Sequence, residues 1–281
     1  MGKVFHADEY PKSNIRHYEN FSPAKANKAT TFIYPKSPFM YKLELIAFTI
    51  QSCIDAQEAG AHRIELCDNA AEGGTTPSYG FIKAAREKLK INLYPIIRPR
   101  GGDFLYSDEE FAIMKSDINV CKVFGCDGVV IGILNADGTV DKKRCRELVE
   151  LAKPMKVTFH RAFDRTKNLY EALEDIIEIG CERILTSGGK SEAAHALDTL
   201  ALLVNQAAGR ISIMPGSGIR SDNIKLIAEK TGAREFHSSA RKFIPTGMHY
   251  QPAAMNETLE QVSLDKTEAE SMAAILKTLP V

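Results

Sequence analysis

The sequence predicts an α/β protein, and within that class a closed (β/α)8 TIM barrel. Three observations carry the prediction. Short apolar runs alternate with helical stretches through most of the 281 residues. Glycines follow several of those stretches (Gly60, Gly125, Gly180, Gly232), where a helix ends in a left-handed turn. Charged residues and glycines cluster directly after the apolar runs, as in Ile97-Arg98-Pro99-Arg100-Gly101-Gly102-Asp103. That is where a barrel or an open α/β sheet places its site.

The elements follow in order. Residues 1–39 mix polar, aromatic and proline residues without a sustained period, and are expected to form a loosely ordered extension. The barrel with its C-terminal helix is expected over residues 41–281. Strands are predicted at 43–48, 63–67, 93–98 and 128–133, each followed by a helix, at 50–60, 78–90, 108–124 and 141–152. The second half continues with strands at 156–160, 183–186, 210–214 and 235–237, separated by helices at 168–179, 191–205 and 221–230. Residues 242–261 read as loop, and 266–279 as a last amphipathic outer helix. Eight such repeats favour closure over an open doubly wound sheet.

Composition narrows the function. Lys plus Arg and Asp plus Glu each number 36, so the net charge is zero. A general nucleic-acid or membrane-surface binder would carry a basic excess, so neither partner is expected. No apolar run is long enough to span a membrane, and no secretory h-region opens the chain. The six scattered cysteines read as reduced thiols of a cytoplasmic protein, with no C-x-x-C pair.

Side chains alternate along a strand, so polar residues of one parity converge inside a barrel. Glu65 and Cys67, Thr158 and His160, and Glu235, His237 and Ser239 each share a face, while Arg98 falls with Ile96 and Glu44 sits on the first strand. Two readings follow. These groups form a mutually satisfied polar plug, or Glu65, Arg98, His160 and Asp164 form an acid–base site that also holds an anion. In the second, His160 carries the proton and Glu65 or Asp164 orients it. The loops add a candidate anion cradle: Arg100 and Asp103, then Ser187, Gly216, Gly218, Arg220, His237 and Ser239. Glycine-rich turns after the seventh and eighth strands are a common phosphate-binding place in such barrels. Cys67 is the candidate metal ligand, as a soft donor for Cu(I), or else a small core residue.

Several segments resemble the CutC copper-homeostasis family. They are Arg63-Ile64-Glu65-Leu66-Cys67, Glu72-Gly73-Gly74-Thr75-Thr76-Pro77-Ser78, Ile97-Arg98-Pro99-Arg100-Gly101-Gly102-Asp103-Phe104, Thr158-Phe159-His160-Arg161-Ala162-Phe163-Asp164, Leu185-Thr186-Ser187-Gly188 and Glu235-Phe236-His237-Ser238-Ser239. The resemblance covers about residues 41–243. It implies a cytoplasmic (β/α)8 barrel, usually a homo-oligomer, linked to copper. It also implies a copper site of two cysteines at the ends of the first two strands. The second matches Cys67, but the first matches Ile46, which cannot ligate copper. The alternative function is a barrel enzyme acting on a small phosphorylated or carboxylated molecule.

Overall fold

The structure, a computed structural model, describes residues 41–252 and 254–280. The expected N-terminal extension lies outside the described residues. Eight parallel strands form two four-stranded sheets. The first is β1 (Lys42–Ala47), β2 (Arg63–Leu66), β3 (Asn92–Pro95) and β8 (Glu235–Ser238), in the order β3-β2-β1-β8. The second runs in sequence order: β4 (Gly128–Ile131), β5 (Lys156–Phe159), β6 (Arg183–Thr186) and β7 (Ser212–Pro215).

The sheets join where β3 continues past its ladder. Ile96 bridges Val130, the Ile97 amide donates to the Val130 carbonyl at 2.8 Å, and the Asp127 amide donates to the Leu93 carbonyl at 3.1 Å. At the other seam, among the described residues, β7 and β8 share no ladder. The result is the (β/α)8 barrel that the alternation predicts, hydrogen-bonded round seven of its eight seams.

Seven helices intervene: α1 (Ile50–Glu58), α2 (Tyr79–Lys88), α3 (Asp108–Val123), α4 (Lys142–Ala152), α5 (Leu169–Ile179), α6 (Leu197–Ala207) and α7 (Ile224–Thr231). Their starts have local chemical causes. Ser78 caps α2 by accepting from the Phe81 amide, and Ser107 with Glu110 makes a reciprocal capping box on α3. Gly180 and Gly232 close α5 and α7 in the left-handed conformation.

Two helices begin later than the sequence suggests. The Ala193 amide donates to the Ser217 carbonyl of the neighbouring loop, so only a 3-10 turn forms there and α6 starts at Leu197. The Asn223 side chain accepts from the Arg220 amide and donates to the Gly218 carbonyl, which holds a turn ahead of α7. One expectation needs correcting. Residues 242–261 are not all loop: β9 (Arg241–Ile244) and β10 (Gln261–Leu264) pair as an antiparallel hairpin before α8 (Lys266–Thr278). The hairpin escaped because its strands are four residues long, and β9 is exposed on both faces, so neither shows a burial period.

Two cores result. The large one lies between the strands and the helices, with Leu43, Leu45, Ile64, Leu66, Leu93, Phe159 and Phe236 fully buried. The small one lies inside the barrel and contains Ile46, Cys67, Tyr94, Ile96 and Val130. Met214 and Leu185 also face inward, among polar residues that build the site.

Candidate active site in the barrel mouth

The inward residues fall into two levels. At the lower level two carboxylates meet two guanidinium groups. Arg63 Nε donates to Glu44, and its Nη2 donates to Glu235 at 2.9 Å. Arg183 Nε donates to the same Glu235 carboxylate at 2.6 Å, while its Nη1 donates to Thr158 Oγ1 at 3.1 Å and to Glu182 at 2.7 Å. Tyr94 lies against both guanidinium groups, its ring centre 5.1 Å from Arg63 Cζ and 5.8 Å from Arg183 Cζ. Gly128 makes room for it, since a Cβ there would stand 2.4 Å from the Tyr94 ring. Burial opposes the charge on Glu235, yet Arg183 and Arg63 outweigh it and bring that carboxyl down to about 2. Every charge in the plug finds an opposite partner.

Above this plug, at the carboxyl ends of the strands, opens a cavity of about 840 Å³ that includes its solvent-filled entrance. Its wall includes Glu65, Arg98, His160, His237, Gly218 and Ser239. These are six of the residues the sequence singles out, and here the charges do not cancel.

Arg98 is 6% exposed, and among the described residues no carboxylate lies within 4 Å of it. Its Nη1 donates to the Glu72 and Gly74 carbonyls at 2.6 and 2.9 Å, and its Nη2 donates to the Gly102 carbonyl at 2.9 Å. These bonds tie the loop after β2 to the loop after β3, and the Gly102 amide answers by donating to the Glu72 carboxylate. Arg98 Nε and the hydroxyl of Tyr106 beside it are buried without a hydrogen-bond partner. The Arg98 guanidinium stacks on Phe104, 5.0 Å from the ring centre.

His160 also packs against Phe104, ring centres 4.8 Å apart. The Ala162 amide donates to its Nδ1 at 3.1 Å, so in the neutral ring the proton is on Nε2, which is buried without a partner. Burial, then the charges of Arg98 and Arg165, hold its pKa down to about 3. The ring at neutral pH is therefore an uncharged donor. This replaces the expectation of a proton carrier oriented by Glu65 or Asp164: the orienting group is the Ala162 amide.

Glu65 is buried, and its closest cationic group is His237 Nε2 at 3.7 Å. Burial lifts its pKa to about 7, against the pull of His237 and with a push from Glu44. His237 Nδ1 lies 2.7 Å from Glu44. Burial disfavours the imidazolium, but that hydrogen bond and the charges of Glu65 and Glu44 prevail, so its pKa rises above the ordinary value. Glu44 thus links the plug to the mouth.

The other candidates lie elsewhere. Asp164 accepts from the hydroxyl of Thr186, from the amides of Ser187 and Gly189 and from Arg161 Nε, which fixes the loop after β6. Ser187 is fully buried in that same knot. Arg100 pairs with Glu110 and Asp103 on the surface of the loop after β3. Arg220 reaches toward Glu268 on α8, and the Gly216 amide donates to the Thr186 carbonyl between β6 and β7. The mouth also holds Arg241, in the turn after the eighth strand that the sequence marks as an anion cradle, and Arg161, which follows His160 and carries no sequence signal of its own. Arg63 and Arg183 were also missed, although stepping back by two from Glu65 and Leu185 reaches them.

Cys67 is fully buried and packs beneath Gly74, where a Cβ would stand 3.0 Å from its sulfur. Burial first, then the charges of Glu65 and Glu44, push its thiol well above the ordinary range, so it stays protonated. Ile46 of β1, opposite Glu65 in the register, packs in the same small cluster. Among the described residues no group of three or more His, Cys, Asp or Glu side chains has the arrangement of a metal site. A two-thiolate Cu(I) site does not fit these residues.

The comparisons with known proteins agree with one another. The CutC family model matches residues 41–242. A CutC family protein of Chromobacterium violaceum is 48% identical over 240 residues, covering 84% of this chain and 97% of its own. The mouse copper homeostasis protein cutC homolog is 44% identical over 248 residues, covering 86% and 91%. Among solved structures, a CutC protein of Streptococcus agalactiae superposes with a TM-score of 0.69 at 33% identity, over 71% of this chain and 99% of that one.

Proposed function

The chain belongs to the CutC family, and from that premise we propose that its barrel mouth is an acid–base site for a small anionic molecule, a phosphate or a carboxylate. The name of the mouse relative supplies the setting, copper homeostasis. The observation that carries the reading is the buried Arg98 charge, which has three neutral carbonyl acceptors and, among the described residues, no counter-ion. A buried cation left unpaired is costly, and an anionic ligand removes that cost. Arg241 on the same wall adds to the attraction, and the turns carrying Gly218 and Ser239 bring backbone close to the bound group. Glu65, held near pH 7, supplies the proton acceptor.

Direct binding of Cu(I) finds less support, because Cys67 offers one protonated thiol and Ile46 none. If copper is cargo, a second soft donor comes from another subunit or an exogenous thiol. A homo-oligomer in the cytoplasm goes with this proposal, and six unpaired, buried cysteines suit a reducing compartment.

The test is thermal. Inorganic phosphate and malonate should each raise the melting temperature of the wild type. Arg98→Lys keeps the charge but loses the fork that grips three carbonyls, and should lose most of that rise. Arg100→Lys, outside the mouth, should keep it. A wild type that neither anion shifts would overturn the reading.

A further inference from the structure

The next step rests on the anion-binding mouth just proposed and concerns the reaction it performs. Three features of the wall narrow the chemistry. The first is an uncharged donor: His160 receives the Ala162 amide at Nδ1 and is left with Nε2–H unpartnered. Its ring lies where it does because residue 132 is glycine, for a Cβ there would come within 2.4 Å of His160 Cε1. The second is a carboxyl group on a different strand, Glu65, whose closest charged neighbour is His237 at 3.7 Å rather than an arginine that would hold it permanently ionised. The third is compositional. Among the described residues no lysine lines the mouth, so carbonyl activation by these residues falls to hydrogen-bond donors and not to an imine. The thiol of Cys67 is buried and protonated, so it is no nucleophile.

A neutral imidazole donor lining the same cavity as a carboxylate with no arginine partner suits one task. The donor stabilises negative charge that develops on an oxygen, while the carboxylate moves a proton on carbon. We propose that the mouth transfers a proton at a carbon adjacent to a carbonyl, in a small substrate that also carries a phosphate or carboxylate. The Glu65 carboxylate takes the proton from that carbon. The C–H electron pair becomes the carbon–carbon double bond of an enolate, and the carbonyl pair moves onto oxygen. His160 Nε2–H, with the Arg98 charge nearby, holds that oxygen. Return of the proton from Glu65 to the same carbon regenerates the carbonyl and the carboxylate. No oxidant, reductant or second reactant is consumed. The anionic end of the substrate meets the Arg98 charge, and the turns after β7 and β8 with Arg241 line the same cavity.

The experiment is solvent exchange. The full chain is mixed in D2O with dihydroxyacetone phosphate, glyceraldehyde 3-phosphate or pyruvate, and loss of the proton beside the carbonyl is followed by NMR. At least one probe should exchange faster than in buffer. Glu65→Gln, purified identically to control for contaminating isomerases, should lose about 100-fold or more of that rate. Glu65→Gln should still show the phosphate-induced rise in melting temperature, because Arg98 is intact. If phosphate raises the melting temperature and none of the three probes exchanges above the buffer rate, the enolisation is wrong and the anion site stands. Equal exchange by wild type and Glu65→Gln also overturns it. If phosphate shifts neither protein, the anion reading itself has failed.

Discussion

Two levels of one barrel interior use the same residue types to opposite ends. In the plug, Glu44, Glu235, Arg63 and Arg183 match charge for charge, and the guanidinium groups are shared out among carboxylates, Thr158 and Glu182. In the mouth, among the described residues, Arg98 has no carboxylate within 4 Å, His160 has no partner at Nε2, and Glu65 has a histidine 3.7 Å away in place of an arginine. Buried polar groups are stabilising when satisfied and costly when not. The plug is therefore where the interior gains its fixed shape, and the mouth is where unmet demand waits for a ligand. Sequence position does not separate the levels, since Arg63 and Glu65 are two residues apart on one strand.

The plug is where the largest effect is expected. Arg63→Met leaves Glu44 without its arginine and Glu235 with only Arg183. Breaking a buried, hydrogen-bonded pair costs about 3–5 kcal/mol, which urea denaturation should register. Adding Glu44→Gln removes the stranded charge and should recover part of the loss. A loss under about 1 kcal/mol for Arg63→Met would mean the plug is not structural, and the contrast with the mouth would collapse.

The mouth should reveal itself through pH. Glu65 is lifted from its ordinary 4.5 to about 7, so the folded state holds that proton more tightly than the unfolded chain. Its stabilising contribution is complete below 4.5 and fades as pH rises through 7. His160 has the opposite sign. Its pKa falls from 6.5 to about 3, so its contribution is complete above 6.5 and fades as pH falls toward 3. Glu65→Gln should therefore gain on the wild type between pH 4.5 and 7, and His160→Gln should lose acid sensitivity below 6.5. His237 shares the sign of Glu65, so a residual decline above 6.5 should survive in Glu65→Gln. Denaturation curves for the three proteins from pH 4 to 8 decide the matter, and parallel curves would refute both assignments.

How much of this was legible in the sequence follows from the same physics. The strands, and the inward parity of Glu65, His160 and His237, could be read because period-two alternation is a strong signal. The roles were harder to read. Asp164 looked catalytic because it follows His160 closely, yet its carboxylate is consumed by Thr186, Ser187, Gly189 and Arg161. Arg220 and Arg100 looked like anion ligands because they follow strands, yet each turns outward to an acidic partner far along the chain or on the next helix. Parity specifies a face, but only three-dimensional partners show whether a group is already spent.

Cys67 gives a smaller test of the same rule. Its thiol is buried and protonated, so it should react slowly with a thiol reagent at pH 8 in the folded protein and rapidly once unfolded. Cu(I) competition titrations should find no tight stoichiometric site in the isolated chain. Tight binding that disappears in Cys67→Ala would reinstate this cysteine as a copper anchor and weaken the division drawn here.

The smallest effect belongs to the two arginines of a single segment. Arg98 and Arg100 are two residues apart, and the sequence treats them alike. Arg98 is buried and uncompensated, whereas the Arg100 side chain is 38% exposed and already paired with Asp103 and Glu110. Solvent screens the Arg100 pair, and holding two mobile side chains together costs entropy, so little net stability results. Asp103→Ala should shift the melting temperature by at most about 2 °C and leave the phosphate effect intact. Arg98→Lys should abolish most of that phosphate effect in the same assay. If Asp103→Ala instead removes it, the anion binds at the surface of the loop after β3, and the unpaired charge inside the mouth is not what recruits it.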